Sequence, residues 1–294
     1  MKASVVIAAH DEAASIGALL EALLGHDSGR HPIEEIVVYD DGSTDATASI
    51  VVARAKSDGR IRLLRGSQRR GRAAAWRALS AAATGDAIVK FDADVLPRLG
   101  AVAALCDALC SGATMSFGVC EPVCRRKTFV SRGAAHAARL VQELQRGDRA
   151  AEFAVGRIIA LRADAARALA PPDEVTNDDH WLSLKVRERG GRVALAPSAS
   201  CAFVVPDTFD DYRRQSNRVR EGERQLERVA GLEPVRIGDL LIAIARCAAA
   251  DPIGWFCWAA IYAASLLTTF DERPEREVPI RSTKALPDES AARR

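Results

Sequence analysis

Short apolar runs alternate with helical patterns along the first third of the chain, and this alternation constrains the fold more than any other feature. The runs predict strands at residues 4–8, 36–39, 61–64 and 87–91. Helices are predicted between them, at residues 13–24, 45–56 and 72–83. Such alternation is typical of a parallel sheet covered by helices on both faces. The sequence therefore predicts a Rossmann-like α/β fold, in which ligands bind beyond the carboxyl ends of the strands.

Acidic side chains follow three of these four predicted strands. They are Asp11, Glu12, Asp40, Asp41, Asp45, Asp92 and Asp94. Helix capping accounts for Asp45 and Asp11, because aspartate is favoured at helix starts. Capping does not explain the two pairs Asp40–Asp41 and Asp92–Asp94, since neighbouring like charges raise each other's pKa unless a cation neutralises them. The pattern therefore predicts a cation at this edge of the sheet.

The Asp92-Ala93-Asp94 motif ends the fourth predicted strand. Side chains two positions apart on a strand share a face, so the two carboxylates can point toward one hard cation. Magnesium and manganese keep few protein ligands in such sites and bind substrate phosphates as well. The motif therefore predicts that Asp92 and Asp94 hold Mg²⁺ or Mn²⁺.

Composition narrows the class of protein. The 294 residues include 41 basic and 39 acidic side chains, a net charge of +2, so no overall field favours nucleic acid. The apolar run at the N-terminus is too short for a signal peptide, and we expect a cytoplasmic protein. The seven cysteines then predict reduced, buried thiols. Their CxxxC spacing (residues 106–110 and 120–124) is wider than that of structural zinc sites.

The rest of the chain is less regular. A strand is predicted at residues 157–161, and helices are predicted at 177–190 and 209–229. Residues 253–270 form an uncharged run of 18 residues, near the lower limit for crossing a bilayer, with aromatic residues near one end. This run predicts membrane association, and it fits a spanning helix, a helix at the interface or a helix packed on the domain. The charged tail, residues 271–294, is predicted to be disordered.

Five segments, in order across residues 1–228, resemble the motifs of the family 2 inverting glycosyltransferases, which have the GT-A fold. They read VVIAAHDEAASI, EEIVVYDDGSTDAT, GRAAAWRALSAAATGDAIVKFDADV, TNDDHWLSLKVRERGGRV and YRRQSNRV. Several positions depart from the family pattern. Ala8 and His10 replace a Pro and a Tyr, and Asp178-Asp179 stands where Glu-Asp is usual. In addition, Arg72 replaces a Lys, Arg77 an Asn and Val219 a Trp.

The resemblance implies a role for each matching position. The implied donor-nucleotide residues are Ala8, His10, Glu12, Asp40, Asp41, Arg72 and Asp92. Asp92 and Asp94 would hold the metal. Asp179, with Asp178 as the second candidate, would be the catalytic base. Trp181, Gln215 and Arg218 would meet the acceptor or the diphosphate. Simple capping of the helix by Asp178 and Asp179 remains an alternative to the catalytic role.

The resemblance also implies an organisation and a reaction. Residues 1–230 would form the catalytic domain, with a nucleotide-binding half (1–98) and an acceptor half (99–230), followed by an apolar helical segment at 235–270. The chain would transfer a sugar from a nucleoside-diphosphate sugar to a lipid-linked or glycan acceptor, at the inner face of the cell membrane. Two alternatives stay open: a nucleotidyltransferase of related fold, and a catalytically silent membrane-associated scaffold.

Overall fold

One mixed eight-stranded sheet runs through the residues described by the computed structural model, which are 1–25, 30–146, 156–231 and 235–267. The strands are β1 (Ala3–Ala9), β2 (Ile33–Asp40), β3 (Ile61–Arg65), β4 (Ala87–Asp92), β5 (Val95–Pro97), β6 (Met115–Val123), β7 (Ile158–Arg162) and β8 (Val193–Val204). Their spatial order is β3-β2-β1-β4-β7-β6-β8-β5.

Ten helices flank this sheet in the described residues. They are α1 (Ile16–Leu24), α2 (Thr47–Ser57), α3 (Arg72–Ala82), α4 (Ala101–Cys110), α5 (Phe129–Gln145), α6 (Ala163–Ala168), α7 (Asp178–Glu188), α8 (Phe209–Ala230), α9 (Ile237–Ala250) and α10 (Pro252–Leu267). The first three alternate with β1–β4, as the sequence predicts. The predicted α/β class with a helix-flanked sheet is confirmed.

The nucleotide-binding half of the sheet is entirely parallel. β1 pairs with β2 on one side and with β4 on the other, and β2 pairs with β3. Ala8 lies opposite both Tyr39 and Asp92, so β1, β2 and β4 end at the same level. Because parallel strands end at one edge, the acidic residues that follow them are brought together there.

The acceptor half is mixed. β7 runs antiparallel to β4 and β6, β5 runs antiparallel to β8, and β6 runs parallel to β8. Sequence patterning predicted β7 but neither β6 nor β8. These strands are rich in small and polar residues, as in ALAPSASCAFV of β8, and such residues have weak strand propensity. Pairing with neighbouring strands, which is not visible in the local pattern, determines their conformation.

Two predicted helices begin later in the structure than in the sequence analysis. The pattern placed helix starts at residues 13 and 45, whereas α1 begins at Ile16 and α2 at Thr47. Asp45 accepts a hydrogen bond from the Thr47 N–H at 2.9 Å, so it precedes the helix and supports its first turn. The polar residues counted as helical are therefore the turns that lead into the helices.

Apolar layers cover both faces of the sheet. Along β1, Val5 and Ile7 belong to one layer and Val6 to the other, which follows the two-residue period of a strand. Phe91 is fully buried in the first layer and Trp76 is almost fully buried in the second. The strands therefore read as continuous apolar runs because both faces are covered. The seven cysteines are free, and Cys110 is exposed, contrary to the expectation that all are buried.

α9 and α10 pack against α5 at the C-terminal end of the described chain. Gly133 of α5 permits close approach, since a Cβ there would lie 2.7 Å from Ile261 Cδ1 and 2.9 Å from the Cys257 carbonyl carbon. Within the described residues, the length and apolar character needed to cross a membrane are not combined in any helix. The predicted disordered tail, residues 271–294, lies outside the described residues, as do residues 268–270.

Candidate active site

The end of β2 carries two buried carboxylates that shape the loops around them. Asp40 is 1% exposed and accepts a hydrogen bond from the Ser43 N–H at 2.9 Å. Asp41 accepts from the N–H groups of Arg70 and Gly71, at 2.7 and 2.8 Å. Asp41 thereby ties the segment that leads into α3 to the end of β2. The two aspartates are brought to the predicted edge, and both have backbone donors as partners.

The residues after β1 hold the neighbouring turn. His10 donates from Nδ1 to the Asp41 carbonyl at 2.9 Å. Asp11, at φ 53°, accepts from the Thr44 N–H at 2.7 Å. Burial opposes this charge, yet the backbone donors and His10 hold the pKa of Asp11 below its ordinary value. Glu12 accepts from the Ser15 hydroxyl at 3.0 Å, at the start of α1. These contacts bring β1 and β2 into one rim.

Asp92 and Asp94 follow β4 and face Arg157, the residue that precedes β7. Arg157 Nη1 lies 2.9 and 3.1 Å from the two Asp94 oxygens and 3.8 Å from Asp92 Oδ2. The guanidinium carbon also lies 4.3 Å from the centre of the Phe203 ring. Burial raises the pKa of Asp92, and the charges of Arg72, Lys90 and Arg157 offset this effect only in part. In this structure a protein cation occupies the space between the two carboxylates.

Lys90 lies in the middle of β4 and is buried, and its ammonium group contacts the start of α7. Its Nζ lies 2.6 Å from Asp178 Oδ2 and 4.0 Å from Asp92 Oδ1. Arg72, the first residue of α3, lies 3.5 Å from the other Asp178 oxygen. Although burial acts to raise it, the charges of Lys90 and Arg72 hold the pKa of Asp178 below its ordinary value. Asp178 is therefore the shared anion of a buried ion-pair cluster.

Asp179 has different partners. Its Oδ2 accepts from the Gly156 N–H at 2.8 Å, and its Oδ1 accepts from the His180 N–H at 2.9 Å. Its side chain is 8% exposed, whereas that of Asp178 is 1% exposed. Because its bonds come from neutral backbone groups, Asp179 is not neutralised by a bonded cation. It lies one residue from Arg157 through Gly156, so it belongs to the same site.

The three predicted acceptor-side residues lie in different surroundings. Trp181 is buried in the apolar layer that also contains Trp76. Gln215 is partly exposed on α8, one turn before Arg218. Burial by the surrounding protein, together with the charges of Arg72 and Arg157, lowers the pKa of Arg218 to about 10. Arg218 therefore faces the cluster, whereas Trp181 belongs to the core.

The predicted residues form one connected site. Asp41 holds the segment that precedes Arg72, and Arg72 reaches Asp178. Lys90 joins Asp178 to Asp92, and Arg157 joins Asp92 to Asp94. The sequence analysis did not single out Lys90 or Arg157. A lysine inside the apolar run AIVKFD signals a buried partner, whereas Arg157 offered no comparable local signal.

The oxygen donors fit a divalent cation. Asp92 and Asp94 are hard ligands at a strand end, and the Arg157 guanidinium already stands beside them as a positive charge. Within the described residues, no three His, Cys, Asp or Glu side chains are grouped closely enough to hold a metal. A cation here would therefore complete its coordination with ligand oxygens or water, and Arg157 would leave Asp94.

Comparison with protein families agrees with this geometry. The family described as "Glycosyl transferase family 2" matches residues 4–168, which is more than half of the chain. This region includes β1 to β4, both acidic pairs, Lys90 and Arg157. No curated protein sequence matches this chain significantly.

Solved glycosyltransferase structures share the fold. One is the mannosyltransferase PcManGT from Pyrobaculum calidifontis in complex with GDP-Man and Mn²⁺, with 22% identity, a TM-score of 0.59, and coverage of 91% of this chain and 76% of that one. Another is glucosyl-3-phosphoglycerate synthase from Mycobacterium tuberculosis with Mn²⁺, UDP and phosphoglyceric acid (19%, 0.56, 79% and 80%). A third is S. aureus TarS with UDP-GlcNAc (14%, 0.56, 92% and 93%). At these identities the likeness establishes the fold.

Proposed function

This chain belongs to glycosyl transferase family 2, and from that membership we propose that it is a metal-dependent, inverting enzyme that transfers a sugar from a nucleoside-diphosphate sugar to an acceptor hydroxyl. The observation that carries the proposal is the cluster of Asp92, Asp94, Asp178 and Asp179 with arginine side chains at the carboxyl ends of the sheet strands. Similar folds have been solved with nucleotide sugars and Mn²⁺.

The donor would bind along the rim formed by β1, β2 and α3. Ala8, His10 and Glu12 border one side, and Asp40 and Asp41 shape the other side. Two Asp41 contacts position the residues before α3, and the N-terminus of that helix favours an anion. Arg72 is the first residue of this helix, and it would donate to the diphosphate oxygens. The positive helix end and Arg72 thus support diphosphate binding at one place.

Asp92 and Asp94 would hold the divalent cation. When bound, the metal supplies Lewis-acid stabilisation of the negative charge that develops on the leaving diphosphate. Arg157 is the residue that must turn from Asp94, and its guanidinium would then be available to phosphate oxygens. Arg218 and Gln215, one turn apart on α8, would meet the diphosphate or the acceptor from the opposite side.

Asp179 is the proposed base. It would take the proton from the acceptor hydroxyl as that oxygen attacks the anomeric carbon and the bond from this carbon to the diphosphate breaks. Asp178 is less suited to this role, because Lys90 and Arg72 neutralise it and hold its pKa down. Asp178 would instead position α7, which carries Asp179. Trp181, buried beneath them, would support this helix rather than stack on a sugar.

Two measurements test the proposal. The first follows release of nucleoside diphosphate from a panel of nucleotide sugars with Mn²⁺ present, and a sugar-bearing product is sought with glycan and lipid-phosphate acceptors. We expect release with at least one donor, and its loss in Asp94→Asn. A reaction that instead consumes a nucleoside triphosphate and releases pyrophosphate would identify a nucleotidyltransferase. No reaction and no donor binding would support the silent-scaffold alternative.

A further inference from the structure

α10 presents an apolar surface that no described residue covers. The helix has 16 residues, none of them charged. Ile253 and Phe256 are 58% and 61% exposed at its start, and Leu266 and Leu267 are 57% and 84% exposed at its end. A water-facing helix surface normally carries charged side chains. Exposed apolar groups along a whole helix therefore mark a surface that binds something.

α9 extends the same surface. Ile237 and Leu241, one turn apart, are 75% and 59% exposed. The opposite side of α9 buries Ala243 and Cys247 in a small cluster that also contains Trp258 of α10. α9 and α10 therefore pack on α5 and on each other while a second apolar side stays outside. We call this side the apolar face; its members are Ile237, Leu241, Ile253, Phe256, Leu266 and Leu267.

A basic segment borders the apolar face. Phe129, at the start of α5, is 49% exposed and meets Phe256 edge to face, with ring centres 6.3 Å apart. The three residues Arg125, Arg126 and Lys127, close before Phe129 in the chain, are exposed. Arg125 and Arg126 lie 4.0 and 3.9 Å from the buried Asp207, and Lys127 forms no ion pair among the described residues. An exposed aromatic pair is thus rimmed by positive charge.

We propose that the apolar face and its basic rim bind the surface of an anionic phospholipid bilayer, with α10 lying along the interface. Apolar and aromatic side chains would enter the boundary between headgroups and acyl chains, and the rim would meet the negative lipid headgroups. This orientation agrees with a helix of 16 residues that is not long enough to cross the bilayer. A second copy of the chain fits less well, because a twofold contact through this face would bring two basic rims together.

The apolar face is joined to the proposed active site. Arg220 of α8 donates to the Ser265 carbonyl near the end of α10, at 3.4 Å. Arg218, which faces the carboxylate cluster, lies two residues earlier on α8. A bilayer bound at the apolar face would therefore lie near the acceptor side of the site. Resting on the proposed function, this placement favours a lipid-linked acceptor over a soluble glycan.

Vesicle co-sedimentation of the full chain, without nucleotide sugar, tests the proposal independently of enzyme activity. The vesicles contain phosphatidylcholine alone or mixed with phosphatidylglycerol. We expect binding to the mixed vesicles and a loss of about a hundredfold in affinity for Ile253→Ser/Phe256→Ser. Leu99→Ser, which changes an exposed apolar residue after β5, is the matched control and should bind as the unaltered protein does.

The charge contribution has its own matched pair. Lys127→Gln should weaken binding about fivefold, whereas Lys56→Gln, which removes an exposed charge on α2, should not. Unchanged circular dichroism and melting temperature would show that each variant is folded. The proposal is overturned if the full chain does not bind mixed vesicles, or if Leu99→Ser loses binding as fully as the double variant. It is equally overturned if Ile253→Ser/Phe256→Ser only converts a dimer into a monomer.

Discussion

Arg157 Nη1 bonds both oxygens of Asp94, at 2.9 and 3.1 Å, within a motif expected to bind a metal. The guanidinium is held from behind by the Phe203 ring, at 4.3 Å, so its position is set from two sides. A guanidinium and a divalent cation cannot bond the same carboxylate oxygens in the same place. Arg157 and the metal therefore compete for Asp94.

Removing this competitor should strengthen metal binding. Because the Asp94 carboxylate would no longer be paired, Arg157→Ala should bind Mn²⁺ about tenfold more tightly, in line with the loss of one partly buried charge pair. Calorimetric titration with Mn²⁺ alone measures this change. Arg98→Ala, which removes an arginine paired with Glu121 outside the site, should leave the affinity unchanged. Weaker Mn²⁺ binding by Arg157→Ala would show that the arginine supports the metal site instead.

Asp179 should be required for transfer but not for donor binding. We expect Asp179→Asn to reduce the transfer rate by about a hundredfold or more, because an amide cannot accept the acceptor proton. Single-turnover transfer and donor titration measure the two properties separately. Asp173→Asn, an exposed carboxylate paired with Arg77, is the matched control. Normal transfer by Asp179→Asn would exclude this residue as the base.

Lys90 should matter chiefly to stability. Lys90→Met leaves Asp178 buried without its nearest cation, and we expect the free energy of unfolding to fall by about 3–5 kcal/mol. Denaturation in urea measures the loss. Lys2→Met, which breaks an exposed pair with Glu34, should change little.

The double variant Lys90→Met/Asp178→Leu separates the pair from its surroundings. With both charges gone, no unpaired ion remains, so this variant should lose less stability than the sum of the two single changes. Additive losses would mean that the 2.6 Å contact between the two side chains contributes no coupling.

Asp251 should give the junction of α10 a dependence on pH. The Gly254 N–H, followed by Arg132 and Arg139, holds the pKa of Asp251 below its ordinary value, although burial opposes this shift. A lowered folded-state pKa means that the carboxylate stabilises the protein above its unfolded value of ~3.9, and that this contribution is lost as pH falls through the folded value.

The comparison of Asp251→Asn with the unaltered chain measures this contribution. At neutral pH the variant should be about 1 kcal/mol less stable, because asparagine can still cap α10 but cannot pair with the arginines. The difference should shrink toward zero below pH ~3.9. Asp164→Asn, at an exposed position on α6, is the control. A stability difference that persists unchanged in acid would contradict the ion-pair explanation.

Local patterns predicted the parallel half of the fold well, because β1 to β4 are buried on both faces and are followed by acidic turns. The same logic brought Asp41, Asp92 and Asp94 to one edge. The mixed half was less accessible, since the small and polar residues of β6 and β8 become strands only by pairing with distant segments. Arg157 was missed for a related reason: its partner Asp94 is 63 residues away, and only the antiparallel pairing of β7 with β4 brings them together.

The central claim is that the strand-end carboxylates bind a nucleotide sugar through a divalent cation, and calorimetric titration of the donor tests it most directly. The donor is the nucleotide sugar that the release assay identifies, added with Mn²⁺ or with a chelator, to the unaltered chain and to Asp94→Asn. We predict measurable binding only to the unaltered chain with Mn²⁺. Equal binding in the presence of the chelator, or equal binding by Asp94→Asn, would contradict the account.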